Sequence, residues 1–235
     1  MAWFCHGMAL CRLETHPLTT HLPPRFTYKS IYLTHGDTHM GIVLTAFTMS
    51  LDGFIAESNN DVARLFKWYF SGDTPFPLPG TSHVFKMSAR SAELFASYFI
   101  DTGALVTGRG DFEASNAWAG SPPFSVPTFI VTHHPPQEWL KEGSPFTFVT
   151  EGVESAIARA KAAAGDKNVV VSGSKIVQQC IRLGLLDEIN IDLASMLLGS
   201  GISLFGTLGI DPIELERIHT IEGDQVTHLR FRIKK

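Results

Sequence analysis

From residue 41 onward the chain alternates between short apolar runs and segments with a helical apolar period, and this pattern predicts most of its elements. Gly41–Met49 is a mostly apolar, extended run, and Ala104–Thr107, Pro127–Thr132, Asn168–Val171 and Ile189–Leu193 read as strands. Asn168–Val171 has no polar position after its first residue, the composition of a strand buried on both faces. Helices lie among them. Ser88–Ile100 carries Leu94, Phe95, Tyr98 and Phe99 on one face, with Ser88 placed to cap it. Glu151–Ala164 has the stripe Val153, Ile157, Ala160 and Ala164, with Glu151 and Glu154 at its start and Arg159 and Lys161 toward its end. Gly165 is its stop signal. Ser174–Leu183 turns Ile176, Val177, Cys180 and Ile181 inward. Pro135 and Pro136 stop the strand that precedes them. Val226–Ile233 alternates, with Thr227, Leu229, Phe231 and Ile233 on one face and His228, Arg230 and Arg232 on the other.

Repeated strand–helix–strand order predicts an α/β fold: a mostly parallel central sheet with helices on both faces, closed by antiparallel C-terminal strands. Residues 1–40 share none of this regularity. They hold five of the ten histidines (His6, His16, His21, His35, His39) and two of the three cysteines. Cys5 and Cys11 lack the compact pair spacing of a zinc site and no second pair follows, so no metal is expected. The expectation is a poorly ordered extension over 1–40 and one folded domain over 41–235; a further hypothesis makes Met40 the natural start. Mass spectrometry of the native N-terminus tests that start. A secretory signal is not expected, because Met1–Leu10 has no basic leader and His6 and Gly7 interrupt its apolar stretch.

Composition narrows the partners. With 19 Lys+Arg against 23 Asp+Glu, the net charge of −4 gives no electrostatic reason for nucleic acid or an anionic membrane. No apolar run approaches the roughly 18–20 residues that a membrane helix needs. Three cysteines build no disulfide framework, so a reducing, cytoplasmic compartment is expected.

Ligands of open α/β sheets bind beyond the carboxyl ends of the strands. That rule selects three junctions. Thr107-Gly108-Arg109-Gly110 ends a strand in glycine and opens a short helix with an arginine, whose planar fork matches phosphate. Thr132-His133-His134 ends the Pro127 strand. Ser172-Gly173-Ser174-Lys175 turns the Asn168 strand into a helix whose first N–H groups, with hydroxyls and a lysine beside them, suit an anion. Each has a plainer reading as turn punctuation, and together they point to a phosphate-bearing ligand. Arg109-Gly110-Asp111 also spells an adhesion tripeptide, taken as coincidence. Ser172–Lys175 fits S-x-x-K without the other serine-acylase motifs, and it does not fit the phosphate loop. Met49-Ser50-Leu51-Asp52-Gly53-Phe54-Ile55-Ala56 places an Asp-Gly turn between two apolar segments, where Asp52 either caps the turn or faces a ligand. Phe66, Trp68, Phe70 and Trp118 either stack on a flat heterocycle or serve the core or an interface.

M-S-L-D-G-F-I-A, V-T-G-R-G-D-F-E, V-V-V-S-G-S-K, Gly184–Glu188 and Leu197–Phe205, in that order, resemble the dihydrofolate reductase-like superfamily. The branch they resemble most is the reductase domain of the bifunctional riboflavin-biosynthesis deaminase/reductase, over about Met40 to Ile233. The resemblance implies an NADPH-dependent reductase of a pteridine- or pyrimidine-like ring, working as a homodimer. It also implies roles: Gly108 and Arg109 for the cofactor phosphates, Thr132 and His133 for the adenosine 2′-phosphate, and Ser172, Gly173, Ser174 and Lys175 under the pyrophosphate. Asp52 matches the family aspartate near nicotinamide and substrate, where it orients the substrate or relays a proton. Two departures stand out. The branch carries an acid and two glycines where this chain has Val171, Ser172 and Gly173, and the deaminase motif H-x-E followed by P-C-x-x-C is absent. An inactive, dimeric nucleotide-binding module of the same fold is the alternative expectation.

Overall fold

Eight strands form the central sheet of the computed structural model, which describes residues 41–79, 81 and 83–235. The expectations for residues 1–40 lie outside the described residues. The chain runs through β1 (Val43–Ser50), β2 (Phe54–Ala56), β3 (Thr74–Pro77), β4 (Val84–Met87), α1 (Ala89–Asp101), β5 (Thr102–Gly108) and α2 (Arg109–Ala114). It continues through β6 (Thr128–Val131), β7 (Phe146–Val149), α3 (Val153–Ala164), β8 (Asn168–Val171), α4 (Ser174–Arg182) and β9 (Glu188–Ala194). It ends with β10 (Ile202–Ser203), β11 (Leu215–Gly223) and β12 (Val226–Ile233). The sheet order is β11-β12-β9-β1-β8-β5-β6-β7. From β9 to β7 every pair is parallel, and β12 and β11 close the sheet in antiparallel fashion. The α/β architecture read from the sequence is the one observed.

Alternation along β1 divides the core in two. Val43 and Phe47 face the side covered by α3 and α4, packing with Val106, Val171, Ile157 and Ile176. Leu44 and Ala46 face the side covered by α1 and the Leu65–Phe70 turn, packing with Trp68, Phe95, Leu105 and Ile130. All four residues of β8 are buried, as a central parallel strand requires. Ser88 caps α1, its Oγ accepting from the Ser91 N–H at 3.2 Å.

α3 begins two residues later than its acidic start predicts. Gly152 stands before it with φ of 99°, and Glu151 instead takes the Thr150 N–H at 2.9 Å and Arg159 at 2.5 Å. β7, β11 and the β3–β4 pair have no counterpart in the apolar pattern. β7 and β11 are the two edges of the sheet, and every residue of β11 is at least partly exposed, so it carries no apolar signature. Among the described residues no helix is long and apolar enough to cross a membrane, and no cluster of His, Cys, Asp and Glu is placed to hold a metal ion.

Candidate functional site

Sheet order makes the three predicted junctions neighbours, because β8, β5 and β6 are adjacent and parallel. Arg109, the first residue of α2, reaches across the end of β6 and donates from Nη1 to the His134 carbonyl at 2.6 Å. Its Nε meets Glu113 Oε1 at 2.6 Å. Behind it, the buried Asp111 joins the β5 and β8 ends: its Oδ2 accepts from Thr107 Oγ1 at 2.6 Å and from Ser172 Oγ at 2.7 Å. Gly173 lies over this knot with φ of 77°, and a Cβ there would sit 3.4 Å from both Asp111 Cβ and Thr107 Oγ1. At Gly108 a Cβ would press on Ile176 Cγ1 at 3.0 Å, so glycine lets α4 close against β5.

The outward groups follow from this packing. Ser172 is buried at 1% exposure and its hydroxyl turns inward to Asp111, so of the third junction only Gly173, Ser174 and Lys175 face solvent. Ile176 and Val177 N–H groups donate to the Gly173 carbonyl, which leaves the Ser174 and Lys175 amides at the open end of α4. His133 is exposed, while Thr132 Oγ1 accepts from the His134 N–H at 3.2 Å in a tight turn. Arg109, Lys175, Ser174, His133 and two helix-end amides form a donor set suited to a ligand carrying phosphates, beside two close glycine backbones.

Asp52 is occupied differently. Its Oδ1 accepts from Ser50 Oγ at 2.5 Å and from the Leu198 N–H at 3.1 Å, and its Oδ2 accepts from the Gly199 N–H at 2.7 Å. The Ser50 hydroxyl first, then the Leu198 and Gly199 amides, hold its carboxyl below the usual carboxylate range. The side chain therefore anchors the Leu197–Gly201 loop to the end of β1.

On the α1 side of the sheet, near the ends of β1 and β9, stands a group that no sequence motif announces. His228 Nδ1 lies 2.7 Å from Asp192 Oδ1, and Nε2 lies 2.8 Å from Ser91 Oγ. Ser88 Oγ donates to Ser91 Oγ at 2.9 Å, so a continuous chain of polar groups leads from the buried imidazole to a half-buried hydroxyl. The carboxylate fixes Nδ1 as a donor and so fixes the ring's orientation. Trp68 covers the imidazole edge-on at 5.3 Å between centroids. Burial, and then the charge of Asp192, pushes the Tyr69 phenol far above its ordinary range. Ser91 and His228 are each 1% exposed. The arrangement can hold and pass a proton, and it is closed to an acyl substrate.

Comparison with known proteins assigns the lineage. The family described as the RibD C-terminal domain matches residues 42–229, nearly all of the described fold. The chain belongs to that family. It is 24% identical over 160 residues to the uncharacterised protein YwjB of Bacillus subtilis (strain 168), covering 68% of this chain and 80% of that one. Among solved structures, a Shewanella sp. PV-4 protein named for riboflavin biosynthesis superposes with a TM-score of 0.63 at 21% identity, covering 83% of this chain and 99% of that one. Dihydrofolate reductase from Enterococcus faecalis, solved with NADP(H), superposes with a TM-score of 0.53 at 17% identity over 83% of this chain and 98% of that one. These likenesses establish a dihydrofolate reductase-like fold.

Val171 is fully buried, and the Ser172 hydroxyl is tied to Asp111. The aromatic side chains divide. Trp68 and Trp118 are core residues, Phe66 is half-buried, and Phe70 is 63% exposed. Sequence reasoning missed Asp111, Glu113, Ser91, Asp192 and His228. The four-residue spacing of Arg109 and Glu113 was a legible signal for their ion pair. Ser91, Asp192 and His228 come from α1, β9 and β12 and offered none.

Proposed function

We propose that the chain is a reductase that uses NADPH to reduce a flat nitrogen heterocycle of the pteridine or pyrimidine kind, acting as a cytoplasmic homodimer. One observation carries the reading: three neighbouring strand ends bearing Gly108–Arg109, Thr132–His133 and Gly173–Lys175 lie together at the carboxyl-terminal side of the sheet. Arg109 and His133 would hold a ribose phosphate, and the Ser174 and Lys175 amides a pyrophosphate. When bound, the nicotinamide supplies the hydride; the protein's part is to bind, orient and exclude water. Sheet order runs β6, β5, β8, β1, β9, so a dinucleotide laid from β6 across β8 brings its reactive end to β1 and β9. There Asp52 serves as a positioning residue, holding the Leu197–Gly201 loop rather than lending a proton.

The test is an NADPH fluorescence titration followed by an oxidation assay with dihydrofolate and the ribosylaminouracil. Binding with turnover supports the reductase. Binding without oxidation of any acceptor supports the inactive module, which the buried Val171 and Ser172 favour because neither reaches a ligand. No binding refutes both. Arg109→Ala should weaken NADPH far more than NADH, by roughly tenfold or more for loss of a phosphate-binding guanidinium; equal losses refute the assigned role.

A further inference from the structure

Arg109 has an ionic partner at the mouth of the site. Glu113 lies one helical turn along α2, with Oε1 at 2.6 Å from Arg109 Nε, and the His134 carbonyl takes Nη1 at 2.6 Å. The two side chains are 41% and 53% exposed, so the pair faces the solvent from which a ligand arrives. A guanidinium grips phosphate best through two parallel N–H groups on one edge. Glu113 holds Nε and the His134 carbonyl takes Nη1, so a phosphate must compete with a carboxylate already in place.

Two ligand chemistries would meet this pair with opposite results. A ribose 2′-phosphate is an anion that Glu113 repels and that needs the same guanidinium. A ribose 2′-hydroxyl is a neutral donor that a carboxylate accepts. In dinucleotide sites generally, an acid goes with the 2′-hydroxyl and an arginine with the 2′-phosphate. Here both sit in one ion pair.

We propose that Glu113 tempers the dinucleotide preference of this chain, competing with a ribose 2′-phosphate for Arg109 and accepting from a ribose 2′-hydroxyl, so that the preference for the phosphorylated form is smaller than Arg109 alone would give. This rests on the reading of the three junctions as a dinucleotide site. The experiment measures dissociation constants of NADPH and NADH by fluorescence for the full chain and for Glu113→Gln, with no turnover required. The variant should bind NADPH about 1.5- to fivefold more tightly, the scale of an exposed charge pair, with NADH unchanged or slightly weaker. The gain should shrink in high salt, as it does for exposed charges. Glu113→Asp keeps the charge and should keep most of the wild-type preference. A preference unmoved by Glu113→Gln, or weaker NADPH binding in it, overturns the inference alone, since the carboxylate would then be idle or orienting Arg109. Wild-type protein that binds neither dinucleotide overturns both this inference and the dinucleotide reading.

Discussion

Ser172→Ala probes the knot that joins two of the junctions. Ser172 is 1% exposed and Asp111 6%, and the Asp111 Oδ2 atom receives hydroxyls from Thr107 and Ser172 at 2.6 and 2.7 Å. Removing one donor from a buried carboxylate forfeits a hydrogen bond to a charged group, about 1.5–3 kcal/mol. In a domain of this size, each kcal/mol lowers Tm by roughly 2–4 °C, so a fall of about 3–12 °C is expected. Asp111→Ala strips the acceptor from both hydroxyls and should cost about 2–6 kcal/mol, at 1–3 kcal/mol per stranded group. Once the carboxylate is gone, removing the Ser172 hydroxyl should cost little, so the double variant is no less stable than Asp111→Ala. Equilibrium urea denaturation at neutral pH, followed by tryptophan fluorescence, gives all four corners of the cycle. A Ser172→Ala loss below about 0.5 kcal/mol, the scale of an indifferent surface change, would refute the reasoning. So would strict additivity of the two substitutions.

Two further outcomes test other parts of the structure. Arg230→Met should destabilise by about 3–5 kcal/mol in urea denaturation, because it strands Glu188, which is buried against Arg230 and only secondarily approached by Arg232 at 3.6 Å; adding Glu188→Leu should recover most of that loss, and failure to recover it would show that the pair is not the cause. Asp52 has a folded-state pKa below its unfolded value, so its stabilising contribution is present above the ordinary carboxylate range and is lost as pH falls through the folded value. Asp52→Asn should therefore flatten the acid limb of the stability–pH curve below about pH 4, and an unchanged limb in thermal melts would count against the assigned contacts.

What the chain order determined is what depends on near neighbours. The apolar run of β8, the inward faces of α1 and α4, the cap at Ser88 and the glycines at the three junctions all follow from burial and dihedral preferences acting over one or two turns. Parallel strands joined by helices then brought those junctions side by side, so their adjacency was legible in the order of the elements. The polar interior was not. On β12 it is the face with His228 and Arg230 that is the more buried, because antiparallel pairing sets His228 against Asp192 and lets Arg230 reach Glu188. Ser172 turned inward to a partner 61 residues away, and Asp52 was claimed by amides 146 and 147 residues away. Hydrophobic burial is written in local periodicity, whereas a buried charge or hydroxyl is tolerated only where strand order and register deliver its partner, and that is settled by the whole fold.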